Sequence, residues 1–215
     1  MTLDEFVSWI PQLLPGLGSA LLLTVVSLVI ALPIGMLVGY TAELSRSRAL
    51  RTVLIVLVEL ARGLPALVVL YLVYYGLPSL SVIIDSFGAV IIAFAFSNIG
   101  YISEIMRGAV RGVPVGQFEA CAALGIPRWQ ALRSVTVPQT LRIATPSLVN
   151  YAAIVFQSTT IAITVAQPEL LSAAYNIGSI TFLYLPVFAL AGAMYALVVI
   201  LTSRAAAMIG RRLAY

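Results

Sequence analysis

Residues 16–40 read GLGSALLLTVVSLVIALPIGMLVGY and contain no charged side chain. Ser19, Thr24 and Ser27 are small, weakly polar residues that interrupt the apolar run very little. A helix crosses the hydrocarbon core of a bilayer when about 20 consecutive residues are predominantly apolar. The stretch therefore predicts a transmembrane helix, and with it an integral membrane protein.

The composition of the whole chain supports the same fold class. Of the 215 residues, 61% are hydrophobic and 9% are charged, whereas about a quarter of the residues of a soluble domain are charged. The mean hydropathy is +1.07. A water-soluble fold is thus excluded, and residues 1–15 predict a short amphipathic segment at the membrane surface. We expect one all-α transmembrane domain over residues 1–215 with five spans, at about residues 16–40, 53–75, 88–110, 143–165 and 182–207.

The basic residues of the chain are all arginines, and they alternate between the predicted connections. Arginines follow the first, third and fifth spans, while the connections over residues 76–87 and 166–181 contain none. Cytoplasmic loops carry the excess of basic residues, so the pattern places the N-terminus outside and the C-terminus in the cytoplasm. It also argues against a nucleic-acid-binding surface, which would group arginines on one face. The arginines concerned are Arg46, Arg48, Arg51, Arg107, Arg111, Arg128, Arg133, Arg142, Arg204, Arg211 and Arg212.

The residue inventory excludes most kinds of chemistry. The chain has no histidine and one cysteine, Cys121, so a zinc or haem site has almost nothing to be built from, and no intramembrane catalytic set assembles. It has no lysine, so it cannot contain the Gly-x-x-x-x-Gly-Lys-Ser/Thr loop that cradles nucleotide phosphates. We expect no catalytic residue and no metal in this chain.

Two pairs of opposite charges lie within or at the end of predicted spans. Glu59 and Arg62 are three residues apart in the second span, and Glu104 and Arg107 repeat that spacing at the end of the third. Residues three apart share a helix face and can pair, which lowers the cost of holding charge in a membrane. Both pairs are interpreted either as structural ion pairs or as part of a transport route.

Residues 111–142 are too polar to span the bilayer, yet their pattern predicts a folded element. Pro114 suits a helix start, Gly125 suits a helix end, and Pro127 can open a second helix that runs toward Pro138. Two short helices joined at a glycine would present a knob to a soluble partner. An interfacial hairpin without a partner is the alternative that the pattern leaves open.

This segment also carries a specific resemblance. The run Glu119-Ala120-Cys121-Ala122-Ala123-Leu124-Gly125, followed by Val137-Pro138-Gln139, resembles the EAA loop of ABC importer permeases. Cys121 replaces the second alanine of that pattern with another small residue. Four further runs are similar to the polar amino acid permeases, the family of the histidine and glutamine importers: residues 59–65 (ELARGLP), 74–78 (YYGLP), 98–108 (NIGYISEIMRG) and 113–117 (VPVGQ).

The resemblance implies that the chain is one of several kinds of subunit, each with its own function in transport. Permeases of this family work as two membrane subunits, identical or similar, docked on two cytoplasmic ATPase subunits in the bacterial inner membrane. An extracytoplasmic binding protein delivers the solute, and the partner ATPase binds ATP and Mg²⁺. The residues that the resemblance assigns to ATPase coupling are Glu119, Ala120, Cys121, Leu124, Gly125 and Pro138.

The resemblance fails at one informative place in the fourth span. The family often has a Lys-Asp-Thr-Ser-Leu-like stretch where this chain has Gln157-Ser158-Thr159-Thr160-Ile161. Both charges are absent, which changes what a cavity at this depth can hold. We therefore expect solute preference not to transfer simply from relatives.

A path for a zwitterion needs polar side chains that face the centre of the bundle. Asn98 and Gln157 are the strongest candidates because their amides are hard to satisfy without a partner, while serines and threonines commonly serve helix packing. Gly35 and Gly39 have the spacing of a helix-contact motif. The candidates for the path are Glu59, Arg62, Asn98, Gln157, Ser158, Thr159 and Thr160.

Two alternatives to an amino acid importer remain. One is an ABC permease for another small solute, such as an opine, because specificity in these systems rests largely with the separate binding protein. The more remote one is a passive channel or a membrane anchor. A channel would transport in lipid vesicles without ATP or partners, whereas an ABC permease alone would be silent.

Overall fold

The computed structural model describes residues 3–213, and all the regular structure in that range is helical. Short turns of π or 3-10 helix follow three of the α-helices. These turns are Leu72–Gly76 with Leu77–Leu80, then Leu132–Thr136, and last Thr159–Val165. The α-helices are α1 (Leu3–Leu44), α2 (Arg48–Gly63), α3 (Ala66–Tyr71), α4 (Ser86–Arg111), α5 (Val115–Ala123), α6 (Arg128–Ala131), α7 (Val137–Ser158), α8 (Leu170–Thr181) and α9 (Tyr184–Leu213).

Four helical runs are long and apolar enough to cross a membrane, and a bent pair of shorter helices supplies a fifth crossing. The all-α, five-span fold class is therefore confirmed. The first span differs from the prediction at its start, because α1 runs unbroken from Leu3 to Leu44 and the predicted surface segment is part of it. Helix α4 is the central one: about two thirds of its most apolar window is buried, against a third or less in the other long spans.

Helices α1 and α4 cross in close contact, and glycines make that contact possible. A Cβ atom on Gly39 would collide with the backbone carbonyl oxygen of Ser103, and one on Gly35 would lie 2.8 Å from the Cβ of Ile102. Ser103 adds a polar link, since its hydroxyl donates to the Gly35 carbonyl oxygen at 3.0 Å. The Gly-x-x-x-Gly spacing thus lies at a helix contact, the use for which small residues are enriched in membrane helices.

The predicted second span, residues 53–75, is not one straight helix. Helix α2 ends at Gly63, and the following run, Ala66–Leu80, departs from it at 91°. Leu64 is extended, with φ −78° and ψ 131°. Proline disfavours the α conformation in the residue before it, so Pro65 accounts for the break. The sequence contains this signal, and the prediction of a continuous span missed it.

The predicted loop over residues 111–142 also ends earlier than expected. Helix α6 continues through a π turn and α7 to form one helical run, Arg128–Val165, so the helix that contains the predicted fourth span begins well before residue 143. Pro138 lies in the first turn of α7, directly after the π turn Leu132–Thr136. Proline has no N–H to donate to the preceding turn, and a π turn is a common local adjustment where the regular ladder is interrupted. The predicted second short helix is therefore continuous with the helix of the fourth span.

The connection between the fourth and fifth spans is held by polar contacts to three helices. Ser19 of α1 donates to the Pro168 carbonyl oxygen at 2.6 Å, and Ser86 of α4 donates to Oε1 of Gln167 at 2.9 Å. The fully buried Glu169 caps α8 by accepting from two backbone N–H groups, and the Tyr195 hydroxyl of α9 donates to its carboxylate at 2.6 Å. These contacts fix the connection against the bundle.

Candidate functional site

Helices α5 and α6 form a hairpin between α4 and the fourth span. The first of them, α5, ends next to Gly125, as the sequence predicts. Gly125 has φ +64°, the left-handed conformation that glycine adopts without steric cost. The Ile126 N–H donates to the Cys121 carbonyl oxygen at 3.0 Å, and the Gly125 N–H donates to that of Ala122 at 3.1 Å. This pair of bonds is the Schellman motif. It turns the chain sharply and leaves α5 as a short projecting helix.

The residues assigned to coupling lie on α5 or directly after it, except Pro138, which lies in the first turn of α7. Glu119, Ala120, Leu124, Gly125 and Pro138 are exposed, and the Leu124 side chain is 76% exposed. Cys121 is buried and faces the body of the protein, where it lines an apolar cavity of about 360 Å³ between the hairpin and the end of α1. Cys121 is thus turned toward the protein, while Glu119 is exposed and free to contact another chain.

Near the same end of the bundle, the two predicted ion pairs are present and belong to one network. Arg62 lies 3.7 Å from Glu59 and 3.5 Å from Glu104, and Glu104 lies 2.7 Å from Arg107. Arg107 continues the network to Glu43 of α1 at 3.4 Å. The chain of charges thus joins α1, α2 and α4.

Glu43 is the member that the sequence analysis missed. Its carboxylate also accepts from Arg111 at 2.8 Å and lies 4.0 Å from Arg51. Its side chain is only 14% exposed. The signal was available, because Gly35, Gly39 and Glu43 repeat at four-residue spacing, and residues four apart share a helix face. That face is the one that packs on α4.

A cavity of about 480 Å³ opens where the second span is broken. Its wall combines the break itself, residues 62–66, with one face of α4 and one face of α7. Among the described residues that line it, Arg62 is the one that bears a charge. The others are Gly63, Leu64, Pro65, Ala66, Phe94, Ser97, Asn98, Tyr101, Tyr151, Ile154, Val155 and Ser158.

Two polar groups in this wall are buried without a partner. Asn98 is 5% exposed, and its Oδ1 accepts from the Tyr151 hydroxyl at 2.9 Å, but its Nδ2 has no hydrogen-bond acceptor. The Ser97 hydroxyl, on the neighbouring residue, is likewise unpaired. Buried polar groups are almost always hydrogen-bonded, so these two atoms are exceptions, as are the buried hydroxyls of Tyr40 and Thr140, which lie outside the cavity wall.

The cavity brings together some of the path candidates and leaves others out. Arg62, Asn98 and Ser158 line it. Glu59 and Gln157 are exposed and do not form part of its wall, and the Thr159 and Thr160 hydroxyls bond to carbonyl oxygens one turn earlier on their own helix. Ser158 does the same toward Ile154. Gln157, chosen from sequence for its amide, thus lies away from this cavity.

Tyr101 and Tyr151 are cavity residues that the sequence analysis did not select. Their rings lie 5.6 Å apart, and the Tyr101 hydroxyl donates to the Arg62 carbonyl oxygen at 3.3 Å. Tyrosines within a span can serve lipid-facing or packing roles, so the sequence gives little reason to prefer them. Only the convergence of α4, α7 and the break in the second span shows that they face one cavity.

Comparison with known proteins gives matches along nearly the whole chain. The family described as "Binding-protein-dependent transport system inner membrane component" matches residues 31–215. The probable amino-acid ABC transporter permease protein YckA of Bacillus subtilis is 33% identical over 185 residues, which is 86% of this chain and 81% of that one. The arginine transport system permease protein ArtQ of B. subtilis is 32% identical over 207 residues, 94% of each chain.

A solved structure agrees over the same extent. The crystal structure of an amino acid ABC transporter with histidines contains a chain that superposes with a TM-score of 0.92 at 27% identity, covering 99% of each chain. The broken second span, the short helix α5 and the long fourth span therefore belong to a fold already seen in a transporter of that kind.

Proposed function

Because this chain belongs to the family of binding-protein-dependent transport system inner membrane components and is an ABC transporter permease, we propose that it imports a polar amino acid. A separate ATPase drives the transport, and an extracytoplasmic binding protein delivers the solute. The amino acid is inferred from the amino acid permeases to which this chain is similar, together with the cavity at the broken second span. The chain acts with a second permease subunit, either a copy of itself or a homologue.

The single observation that carries the coupling part of this proposal is the hairpin of α5 and α6. Helix α5 projects from the bundle with Glu119 and Leu124 exposed, and α6 is continuous with the fourth span. A force applied to the hairpin is transmitted directly to α7, whose residues line the cavity. Docking of an ATPase on α5 can therefore bias the span between two orientations, which is the physical content of ATP-driven alternating access.

The nucleotide belongs to the partner in this scheme. The chain has no lysine, so the phosphate-binding loop of an ATPase has no place in it. ATP and Mg²⁺ are accordingly assigned to two ATPase subunits on the cytoplasmic side. The alternation of arginines between connections supports the assignment of the hairpin to that side and of the N-terminus to the outside.

We propose that the solute binds in this cavity while it crosses the bilayer. Its volume of about 480 Å³ falls within the roughly 300–1,000 Å³ of small-molecule sites. It lies at a helix break, where transporters commonly place their binding sites because unwound backbone is tolerated when it lines a cavity. Its wall is mostly apolar, and the polar side chains within it, among them Arg62, Ser97 and Asn98, suit a solute that carries polar groups.

Reconstitution in vesicles tests this function. The chain is purified with the ATPase encoded beside it and inserted into liposomes, and uptake of labelled amino acids is followed with the binding protein outside and ATP inside. We expect uptake that requires both ATP and the binding protein. Vesicles with the chain alone that became permeable without ATP would contradict the proposal and favour the passive channel.

A further inference from the structure

Helix α2 has an apolar face that the described residues leave uncovered. Four of its side chains are spaced three and four residues apart, so they lie on one side of the helix. Each of them is between 44% and 55% exposed. We call this face the apolar stripe, and its members are Leu50, Val53, Leu57 and Leu60. A continuous exposed apolar face of this kind indicates contact with lipid or with another molecule.

The charged residues of α2 lie on the opposite side of the helix. They are Arg48, Arg51, Glu59 and Arg62. A helix with one apolar and one charged side lies along a membrane surface with its apolar side in the lipid. The bend after α2 allows this orientation, because the following run, Ala66–Leu80, departs from α2 at 91°. Helix α2 therefore has both the pattern and the direction of a helix at the membrane surface.

Three arginines at the beginning of α2 carry charge that the described residues leave largely unbalanced. Arg46, Arg48 and Arg51 are exposed, and we call them the arginine cluster. Within residues 3–213, the first two have no carboxylate at ion-pair distance. Arg51 lies 4.0 Å from Glu43, whose carboxylate is closer to Arg111, at 2.8 Å. The cluster is therefore available to a further anion.

A phospholipid with an anionic headgroup fits both features at once. Its phosphate accepts from guanidinium groups, and its acyl chain covers apolar side chains. Anionic lipids of the cytoplasmic leaflet also attract basic segments next to a span. A protein partner fits less well, because α2 contains no aromatic residue. Protein interfaces are enriched in aromatic residues, and leucine and valine seldom dominate their binding energy.

We propose that α2 is a binding site for an anionic phospholipid, with the headgroup at the arginine cluster and an acyl chain along the apolar stripe. The inference goes beyond the proposed function and rests on it only for the side of the membrane, which the alternation of arginines supports. A zwitterionic phospholipid brings a cation of its own next to the arginines and therefore binds less tightly. The net negative charge of the headgroup is thus the property that the site selects.

The test measures how tightly phospholipids bind the complete permease–ATPase assembly. The assembly in detergent is titrated with phosphatidylglycerol or with phosphatidylcholine of the same acyl chains, and native mass spectrometry gives the dissociation constant of the first bound lipid. We expect phosphatidylglycerol to bind at least about tenfold more tightly. Equal affinity for the two lipids would overturn the inference.

Removing the charge of the arginine cluster tests the headgroup contact. We expect the combined variant Arg46→Gln, Arg48→Gln, Arg51→Gln to bind phosphatidylglycerol at least about tenfold more weakly and phosphatidylcholine as the wild type does. Glutamine keeps a polar side chain at each exposed position, so the fold should not change. Wild-type affinity for phosphatidylglycerol in this variant would contradict the proposal.

The matched control removes the same charge from another helix. Arg204, Arg211 and Arg212 are exposed arginines in the last part of α9. The combined variant Arg204→Gln, Arg211→Gln, Arg212→Gln should change the affinity for phosphatidylglycerol by less than about threefold. An equal loss in the two combined variants would show that the lipid responds to the total charge of the protein and not to α2, and it would overturn the inference.

Variants of the apolar stripe identify the occupant. Leu57→Ser combined with Leu60→Ser should weaken phosphatidylglycerol binding several-fold and leave the subunit composition in the same spectra unchanged. Loss of the ATPase or of the second permease subunit from this variant would show that a protein covers α2, and it would overturn the inference. Failure of the wild-type chain to associate with any ATPase would instead contradict the proposed function.

Discussion

Arg62 of α2 and Glu104 of α4 lie 3.5 Å apart, and this contact joins two local ion pairs into one network. Each pair by itself is a three-residue spacing within one helix. Their connection, and its extension through Arg107 to Glu43 of α1, ties together three helices near the hairpin. Movement of the hairpin and the state of this network are thus expected to be linked.

The first prediction concerns the centre of that network. Arg107 has a side chain that is 9% exposed and contacts both Glu43 and Glu104, whereas Arg51 is 46% exposed and lies 4.0 Å from Glu43. Removing one partner of a buried pair costs about 3–5 kcal/mol, while exposed pairs contribute about 0–1 kcal/mol. We expect Arg107→Ala to lower the midpoint of thermal unfolding in detergent strongly and Arg51→Ala to change it little. Equal changes in the unfolding midpoint for the two variants would show that burial does not determine how much each arginine contributes to stability.

The second prediction concerns the crossing of α1 and α4. Gly39→Ala places a methyl group against the Ser103 carbonyl oxygen and should destabilise the protein by about 1–3 kcal/mol through overpacking. Gly18→Ala is the matched control, since nothing lies within 4 Å of its Cβ position. Alanine is the better helix former by about 1 kcal/mol, so Gly18→Ala should be neutral or stabilising. A tolerated Gly39→Ala would mean that the helices can separate at no cost.

The third prediction concerns pH and Glu169. Burial raises the pKa of Glu169 above its ordinary value of 4.5, although hydrogen bonds from Tyr195 and two backbone N–H groups oppose the shift. The folded state then holds the proton more strongly than the unfolded state, so the free energy of unfolding falls as the pH rises from 4.5 through the raised value.

Glu169→Gln removes this titration. As the pH is lowered across that window, the unfolding midpoint of the wild type should rise relative to that of Glu169→Gln. Asp85→Asn is the control, because Asp85 also caps a helix through its side chain but is exposed. A wild-type advantage that grew with pH instead would indicate that the hydrogen bonds outweigh burial.

Most of the fold could be predicted from the chain because its signals are local. Apolar runs, the alternation of arginines, the Gly35 and Gly39 spacing and the glycine stop at Gly125 each depend on a few neighbouring residues. The break at Leu64 and Pro65 is equally local, and it was missed because the apolar run continues across it. Hydropathy indicates how many consecutive residues are apolar enough to span a membrane, but it does not indicate whether the helix bends within that run.

The cavity could be predicted only in part, because it is made by tertiary contacts. Asn98 was selected for the cost of burying an amide, and it lines the cavity. Gln157 was selected for the same reason and lies on an exposed face. Which face of α7 points inward depends on how it packs, and the pairing of Tyr151 with Asn98 joins residues 53 positions apart. No periodicity in the sequence contains that information.

The most direct test of the central claim is ATPase coupling through α5. The chain is co-expressed with its neighbouring ATPase, and ATP hydrolysis of the purified assembly is compared for wild type, Glu119→Arg and the control Ala49→Arg. Ala49 is exposed in the first turn of α2, so its replacement adds positive charge near the same arginine-rich end but outside the hairpin. We predict that Glu119→Arg loses assembly or stimulation by the binding protein while Ala49→Arg retains both. Unchanged assembly and stimulation in Glu119→Arg would contradict the account.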